Sequence, residues 1–268
     1  NETGKYQVFF EETQGTALFK QYIWASGNSG FALTGVGRNP QEYPTVSIEN
    51  GIDGSRAIKL ETKSTGQFGE TVKMPIAAGN LFLGSFDVNN AVQKPLKATR
   101  FGLPFGKKPL QLKGYYKYTP GTQLFKAKDK NGNTVTIPGQ EDEGDIYAVL
   151  YEAAELDGQA LDGNNVLTSK NIVALARVEV EKKDEFTAFH VDFHYGSRIP
   201  IDWPEFIRDQ RDPSDDGTGE YLSFSEEKMK NYEYNLAVVF TSSKYGAYFA
   251  GSVGSTLCID KVEIVCEK

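Results

Sequence analysis

The sequence predicts an all-β fold, a sandwich or barrel of many short strands with long loops and one or two short helices. Three observations carry this expectation. Short runs of alternating apolar and polar residues recur along the whole chain. Turn dipeptides separate them. Gly is frequent (27), aromatics make up 12% and Met is scarce (2). The 268 residues suffice to bury a large core, and no internal repeat or linker divides them, so one domain over 1–268 is expected.

The strand-like runs are Thr45–Glu49, Ala57–Thr62, Leu112–Tyr118, Gln123–Lys128, Thr134–Ile137, Ile146–Glu152, Ile172–Glu181, Phe186–Tyr195, Asn235–Thr241 and Ser255–Val265. Asn50-Gly51, Asp53-Gly54, Pro120-Gly121, Asn131-Gly132, Pro138-Gly139 and Asp157-Gly158 punctuate them. Phe125–Ile137 reads as a hairpin turning at Asn131-Gly132. Two segments favour helix: Gly15–Trp24, and Ser225–Tyr232 with Ser225 as its cap. Ser197–Tyr221 is a long irregular stretch, in which Trp203, Phe206 and Ile207 argue for a part packed onto the body.

The last run carries a polar residue on a mainly apolar face. Strict alternation puts Leu257, Ile259 and Lys261 on one side and Cys258, Asp260, Val262 and Ile264 on the other. A bare carboxylate there is costly unless hydrogen-bonded or bound to a cation. The candidates for a structural calcium are Asp260 with Glu11 and Glu12, and the last strand is expected to pair back with the first. Cys258 and Cys266 would lie about 27 Å apart in one continuous strand, too far for a disulfide.

Charge excludes some partners. With 29 basic and 36 acidic residues the net charge is −7, which offers no basic stripe for nucleic acid. No apolar run approaches a membrane span. The chain starts at Asn1 without a signal peptide, so a removed export signal or lipid anchor is compatible with it. Neither a phosphate loop, a dinucleotide fingerprint nor a nucleophile elbow is present.

Several constellations could carry chemistry. Tyr115 and Lys117 share one face of a strand, with Tyr116 and Tyr118 on the other. Asp145, Tyr147, Val149 and Tyr151 share a face of a second strand. An aromatic ring stacks on the apolar face of a sugar while a polar tip meets its hydroxyls. The candidate carbohydrate contacts are therefore Tyr115, Lys117, Asp145, Tyr147, His190 and Trp203. In His190-Val191-Asp192-Phe193-His194, alternation aligns both histidines with Asp192, a polar face or a set of metal ligands. Asp212-Pro213-Ser214-Asp215-Asp216-Gly217 partly matches a calcium loop, with Ser223 at the twelfth position instead of Glu. Asp129, Asn131 and Asn133 space their oxygens similarly, but the Asn-Gly turn accounts for them. Glycoside hydrolysis would need two carboxylates about 5–9.5 Å apart. Asp145, Glu152, Glu61 and Glu143 are the first candidates, with Glu70, Glu141 and Asp142 behind them.

An ordered set of motifs is more specific. Ala77-Ala78-Gly79-Asn80-Leu81-Phe82-Leu83-Gly84 precedes Phe101-Gly102-Leu103-Pro104-Phe105. Lys113-Gly114-Tyr115-Tyr116 with Pro120-Gly121, Asp145–Glu152, and Ser242-Ser243 with Gly254-Ser255-Thr256-Leu257 and Ile259-Asp260 follow. From about Leu81 to Ile264 this resembles the putative carbohydrate metabolism domain of Bacteroidetes surface and secreted proteins. The resemblance implies a β-sandwich jelly roll with a loop-narrowed sugar pocket, and export to the periplasm, the outer membrane (often by a lipid anchor) or the medium. It implies polysaccharide or oligosaccharide partners and other glycan-utilisation proteins nearby, and it supplies no catalytic motif. The leading expectation is an exported carbohydrate-binding module. The alternatives are a glycoside hydrolase or lyase with paired carboxylates, and a structural or adhesion module.

Overall fold

A computed structural model describes residues 2–13, 19–156, 159–208, 210–211 and 217–268. In chain order its strands are β1 (Glu2–Thr3), β2 (Gln7–Thr13), β3 (Phe19–Ala25), β4 (Thr45–Ile48), β5 (Ala57–Glu61), β6 (Lys63–Ser64), β7 (Ile76–Ala77), β8 (Asn80–Phe86), β9 (Thr99–Phe101) and β10 (Leu103–Pro104). They continue with β11 (Pro109–Thr119), β12 (Lys126–Lys128), β13 (Thr134–Thr136), β14 (Asp145–Glu152), β15 (Ile172–Val178), β16 (Lys183–Asp192), β17 (His194–Tyr195), β18 (Tyr234–Thr241) and β19 (Thr256–Cys266). The α-helices among the described residues are short: α1 (Asn28–Phe31), α2 (Gly66–Thr71), α3 (Glu205–Arg208) and α4 (Glu226–Lys230). None is long and apolar enough to cross a membrane.

Two antiparallel sheets pack face to face. The larger runs β1-β2-β3-β8-β18-β14-β15-β17, with β9 and β10 attached to β8 and β18. The smaller runs β16-β11-β19-β5-β4. Between them lies the main core, where Ile146, Ala148, Leu150, Leu236, Val238 and Phe240 of the larger sheet meet Leu60, Leu112, Tyr116, Tyr118, Leu257 and Ile259 of the smaller. The smaller sheet alternates as a one-sided sheet should, with Leu112, Tyr116 and Tyr118 buried and Lys113, Tyr115 and Lys117 half-buried on its outer side. The larger sheet does not alternate: every residue of β14 is buried. Its second face is covered by loops, through a separate apolar cluster of Phe82, Phe101, Tyr147, Val149, Tyr151, Leu161, Val166, Leu175 and Tyr221.

Carboxamide side chains close one margin of the sandwich. Gln7 Oε1 accepts from Ser47 N (2.6 Å) and Asn28 Nδ2 donates to the carbonyls of Gln7 (3.3 Å) and Thr45 (2.8 Å). These bonds join β2 of one sheet to β4 of the other and satisfy backbone groups that an edge would leave open.

Some expectations change. Phe19–Ala25 is a strand, not the second half of a helix: β3 pairs with β2 and β8, and Trp24 packs its ring near Phe240. The first half of that helix, and Asp157-Gly158, lie outside the described residues. Helix α4 does form, capped by Ser225 Oγ accepting from Lys228 N. The hairpin at Asn131-Gly132 also forms: Gly132 takes φ +73° and Asp129 Oδ1 accepts from Asn131 N and Asn133 N. The run 190–194 is not one strand. β16 belongs to the smaller sheet and β17 to the larger, and the chain crosses between them at buried Phe193. His190 and Asp192 therefore lie on the smaller sheet, apart from His194, which packs against Tyr221.

The closing strand is flanked by β11 and β5 rather than by the first strand. Its pairing with β11 shifts between Tyr115↔Asp260 and Lys113↔Glu263, so β19 holds one extra residue there. Lys261 takes φ +47° at this bulge. The bulge flips the alternation, so Leu257 and Ile259 before it and Val262 and Ile264 after it all face the core. Asp260 is released from the apolar face. Its Oδ2 accepts from Ile52 N (2.7 Å) and Ser55 Oγ, and its Oδ1 from Lys261 N (2.7 Å). Glu11 and Glu12 are exposed, with Glu11 accepting from Trp24 Nε1. No group of three or more His, Cys, Asp or Glu that could hold a metal occurs among the described residues. Cys258 and Cys266 are free thiols on one continuous strand.

Asp260 thus serves as an anion that holds a loop and a bulge. Asp260→Ala should destabilise the fold by about 1–3 kcal/mol, because it leaves partly buried donors unpaired. Urea melts of the two proteins check this, and an unchanged midpoint would remove Asp260 from the architecture.

Candidate functional site

The loop-covered face of the larger sheet holds a cavity of about 200 Å³. Its floor comes from side chains that the register aligns. Arg177, Tyr147, Val239 and Phe82 lie opposite one another across β15, β14, β18 and β8. Asp145, Thr241 and Asn80 form the next row. The walls come from Phe31 of α1, Phe68 of α2, Phe86 and Pro95, Val166 and Leu167, Trp203, and the turn Lys244–Phe249.

Charge at this floor is confined. Asp145 is buried and forms a two-point pair with Arg177: Nε to Oδ1 at 3.0 Å and Nη2 to Oδ2 at 2.7 Å. Such fork geometry is the strong form of an Arg–carboxylate contact. Asp145 keeps the guanidinium charged despite its burial, and burial pushes the Tyr147 hydroxyl well above its ordinary range. Lys244 pairs with Glu143 (2.8 Å) at the rim, and Glu143 is exposed.

Trp203 is held rigidly. The Arg211 guanidinium lies 4.1 Å from its ring centroid, Tyr248 meets it edge to face at 6.4 Å, and Phe206 and Ile207 pack in the same small cluster. Arg211 in turn donates to Tyr248 Oη (2.7 Å), Thr168 Oγ1 and the Asn164 carbonyl. The packed part expected within Ser197–Tyr221 is this wall.

The six candidate sugar contacts divide between two surfaces. Asp145, Tyr147 and Trp203 line the cavity. Tyr115, Lys117 and His190 lie on the outer side of the smaller sheet, where Lys117 sits over the Phe186 ring. The core of the sandwich separates the two sets. Of the candidate catalytic carboxylates, only Asp145 lines the cavity. Glu152 stands seven residues along the same strand, on the opposite face and about 23 Å away, paired with Lys228 at 2.5 Å. Glu61 sits on the smaller sheet; burial works against its charge, but bonds from Lys63 and Lys59 outweigh it and hold the carboxyl below its ordinary range. Of the residues considered for calcium, Asp212–Asp216 lie outside the described residues.

Arg177, Lys244 and Tyr245 belong to the site although no motif marked them. Arg177 had one signal. It is the lone charge in the apolar strand Ile172–Val178, and Asp145 opens another apolar strand whose only other charge, Glu152, closes it. Two buried charges of opposite sign in neighbouring strands stabilise each other where either alone would be costly.

The turn that carries Lys244–Phe249 is anchored by a buried polar cluster. Asp142 Oδ2 accepts from Ser243 Oγ (2.6 Å), Ser252 N (2.8 Å) and Ser255 Oγ (2.7 Å), and Thr62 Oγ1 bonds both Ser242 and Ser243. Burial raises the Asp142 carboxyl to about 6 even against those bonds. Its contribution to stability is therefore fully present below an unfolded value of about 3.9 and is lost as pH rises through about 6, on the order of 3 kcal/mol in all. Wild type should lose more stability than Asp142→Asn between pH 4.5 and 7.5 in urea melts. Equal losses in the two proteins would contradict this.

With the geometry described, likeness to known proteins is informative. The chain superposes on a protein from Bacteroides thetaiotaomicron described as a putative glycoside hydrolase, with a TM-score of 0.81 and 42% identity, over 100% of this chain and 70% of the other. A second protein so described, from Bacteroides vulgatus, gives a TM-score of 0.77 and 37% identity over 98% of this chain and 91% of that one. No protein of curated function matches the chain. The model of one family, described as "Putative carbohydrate metabolism domain", matches residues 1–265, and the chain belongs to that family.

Proposed function

We propose that this protein is an exported carbohydrate-binding domain that seats a saccharide in the loop-walled cavity above Tyr147, Phe82 and Val239. The observation that carries this reading is the make-up of the cavity. Ten aromatic residues contribute to its lining, and its only carboxylate among the described residues has both oxygens bonded to Arg177. Aromatic rings suit the C–H faces of a sugar, and a few fixed polar groups orient its hydroxyls. Acid–base hydrolysis needs a second carboxylate across the cavity, and the described lining supplies none. Membership of a carbohydrate-metabolism family supports the substrate class.

A hydrolase is the second reading, favoured by the descriptions of the two similar structures. In that case Asp145 is the one described carboxylate placed to take part. Release of reducing ends from oligosaccharides, abolished by Asp145→Asn, would establish it.

The binding reading has a direct test. Trp203→Ala should weaken retention in glycan arrays and affinity electrophoresis by about tenfold, since aromatic contacts of this kind contribute about 1 kcal/mol or more beyond area burial. Tyr115→Ala, on the opposite side of the sandwich, should leave retention unchanged. No retention on any glycan, or sensitivity at Tyr115 but not at Trp203, would overturn the assignment of the cavity.

A further inference from the structure

We infer that the saccharide seated in this cavity carries a carboxylate, as uronic acids do. The inference rests on the cavity being the sugar site. It follows from which polar atoms there remain uncommitted.

Among the described residues the lining contains two cations, Arg177 and Lys244, and one carboxylate, Asp145. Asp145 spends both oxygens on Nε and Nη2 of Arg177. The third guanidinium nitrogen, Nη1, has no partner among the described residues, and it is not one of the sealed orphan atoms of the interior. The hydroxyls of Tyr147 and Tyr245, also in the lining, are likewise without a partner among the described residues. Lys244 bonds Glu143, whose side chain is 54% exposed and stands at the rim rather than in the lining. A pair with one partner this exposed is worth little more than a surface pair and can exchange.

Of these groups the two cations only donate, while the tyrosine hydroxyls donate one bond and can also accept, so the charged donors are what distinguish the site. A neutral sugar offers hydroxyls that need acceptors as well, commonly a carboxylate or carboxamide, and here the one carboxylate is already held. A sugar carboxylate offers two acceptor oxygens and a charge. One oxygen can take Arg177 Nη1, and the other Lys244 Nζ in place of Glu143. Charge-assisted bonds of this type are roughly twice as strong as neutral ones. The protein as a whole carries −7, so general charge attraction does not favour an acidic glycan. Any preference must come from this local arrangement.

The experiment compares oligouronides with the same oligosaccharides after carboxyl reduction, alongside an array of neutral glycans, by calorimetry on the intact protein. The expected result is binding of at least one uronide, weakened about tenfold or more by carboxyl reduction. Lys244→Gln, at a half-exposed position that should not disturb folding, is expected to weaken the uronide by a similar factor and leave the reduced form unaffected. A thermal melt of the variant checks its fold. Tight binding of a neutral glycan that depends on Trp203 but not on Lys244 would overturn the acidic specificity and leave the cavity as the sugar site. No binding of any glycan would overturn both.

Discussion

The strand that governs this molecule is β14, because all eight of its residues are buried. A strand buried on both sides must be covered on both sides, at a gain of about 1.5–3 kcal/mol for each large apolar side chain removed from water. The smaller sheet covers Ile146, Ala148 and Leu150. No further sheet among the described residues covers Tyr147, Val149 and Tyr151, so loops and short helices do. Loops bring carbonyls and amides that need partners. Arg198 supplies donors to the carbonyls of Thr168, Ser169 and Glu220, Arg211 to Asn164, Thr168 and Tyr248, and Asp142 accepts from three serines. The cavity is where this cover stands off the sheet. The site is thus a product of the covering problem, and its position over Tyr147 follows from β14.

The same burial determines how charge behaves in the floor. Asp145 and Arg177 come from adjacent strands and meet in a two-point contact. Their value to the fold is modest, since desolvating both charges offsets much of the attraction. Their value to the site is geometric. A guanidinium held by Nε and Nη2 has a fixed plane, so Nη1 points in a fixed direction. Trp203 is fixed in the same sense by Arg211 on its face and Tyr248 at its edge. A rigid wall and a rigid donor reduce the ordering cost of binding.

What was legible in the sequence was local, and what was not was long-range. Alternation correctly separated Tyr116 and Tyr118 from Tyr115 and Lys117, and aligned Asp145 with Tyr147. It could not say that these two faces belong to opposite sides of a sandwich, because parity carries no information on sheet order. It failed outright where the backbone breaks period two. The crossing at Phe193 parts His190 from His194, and the bulge at Lys261 turns Val262 and Ile264 inward. Phe19–Ala25 failed for a different reason. Its apolar residues fit either period, and pairing with β2 and β8 decided the matter.

The carboxylates show why residue type alone reads poorly for catalysis. A working acid in a glycosidase combines a place in the cavity with a raised pKa. The cavity selects Asp145, which an arginine holds by both oxygens. The raised pKa selects Asp142, which is spent on Ser243, Ser252 and Ser255 and does not line the cavity. Glu61, Glu143 and Glu152 do not line the cavity, and each is bonded to a lysine. In a chain with 36 acidic and 29 basic residues most carboxylates find a cation or a donor, so the discriminating question is which one is left without either. In the described lining the uncommitted side-chain groups are Arg177 Nη1, which only donates, and the hydroxyls of Tyr147 and Tyr245, which donate and accept. A surplus of donors over acceptors holds an anionic or acceptor-rich ligand more readily than it transfers a proton to a glycosidic oxygen.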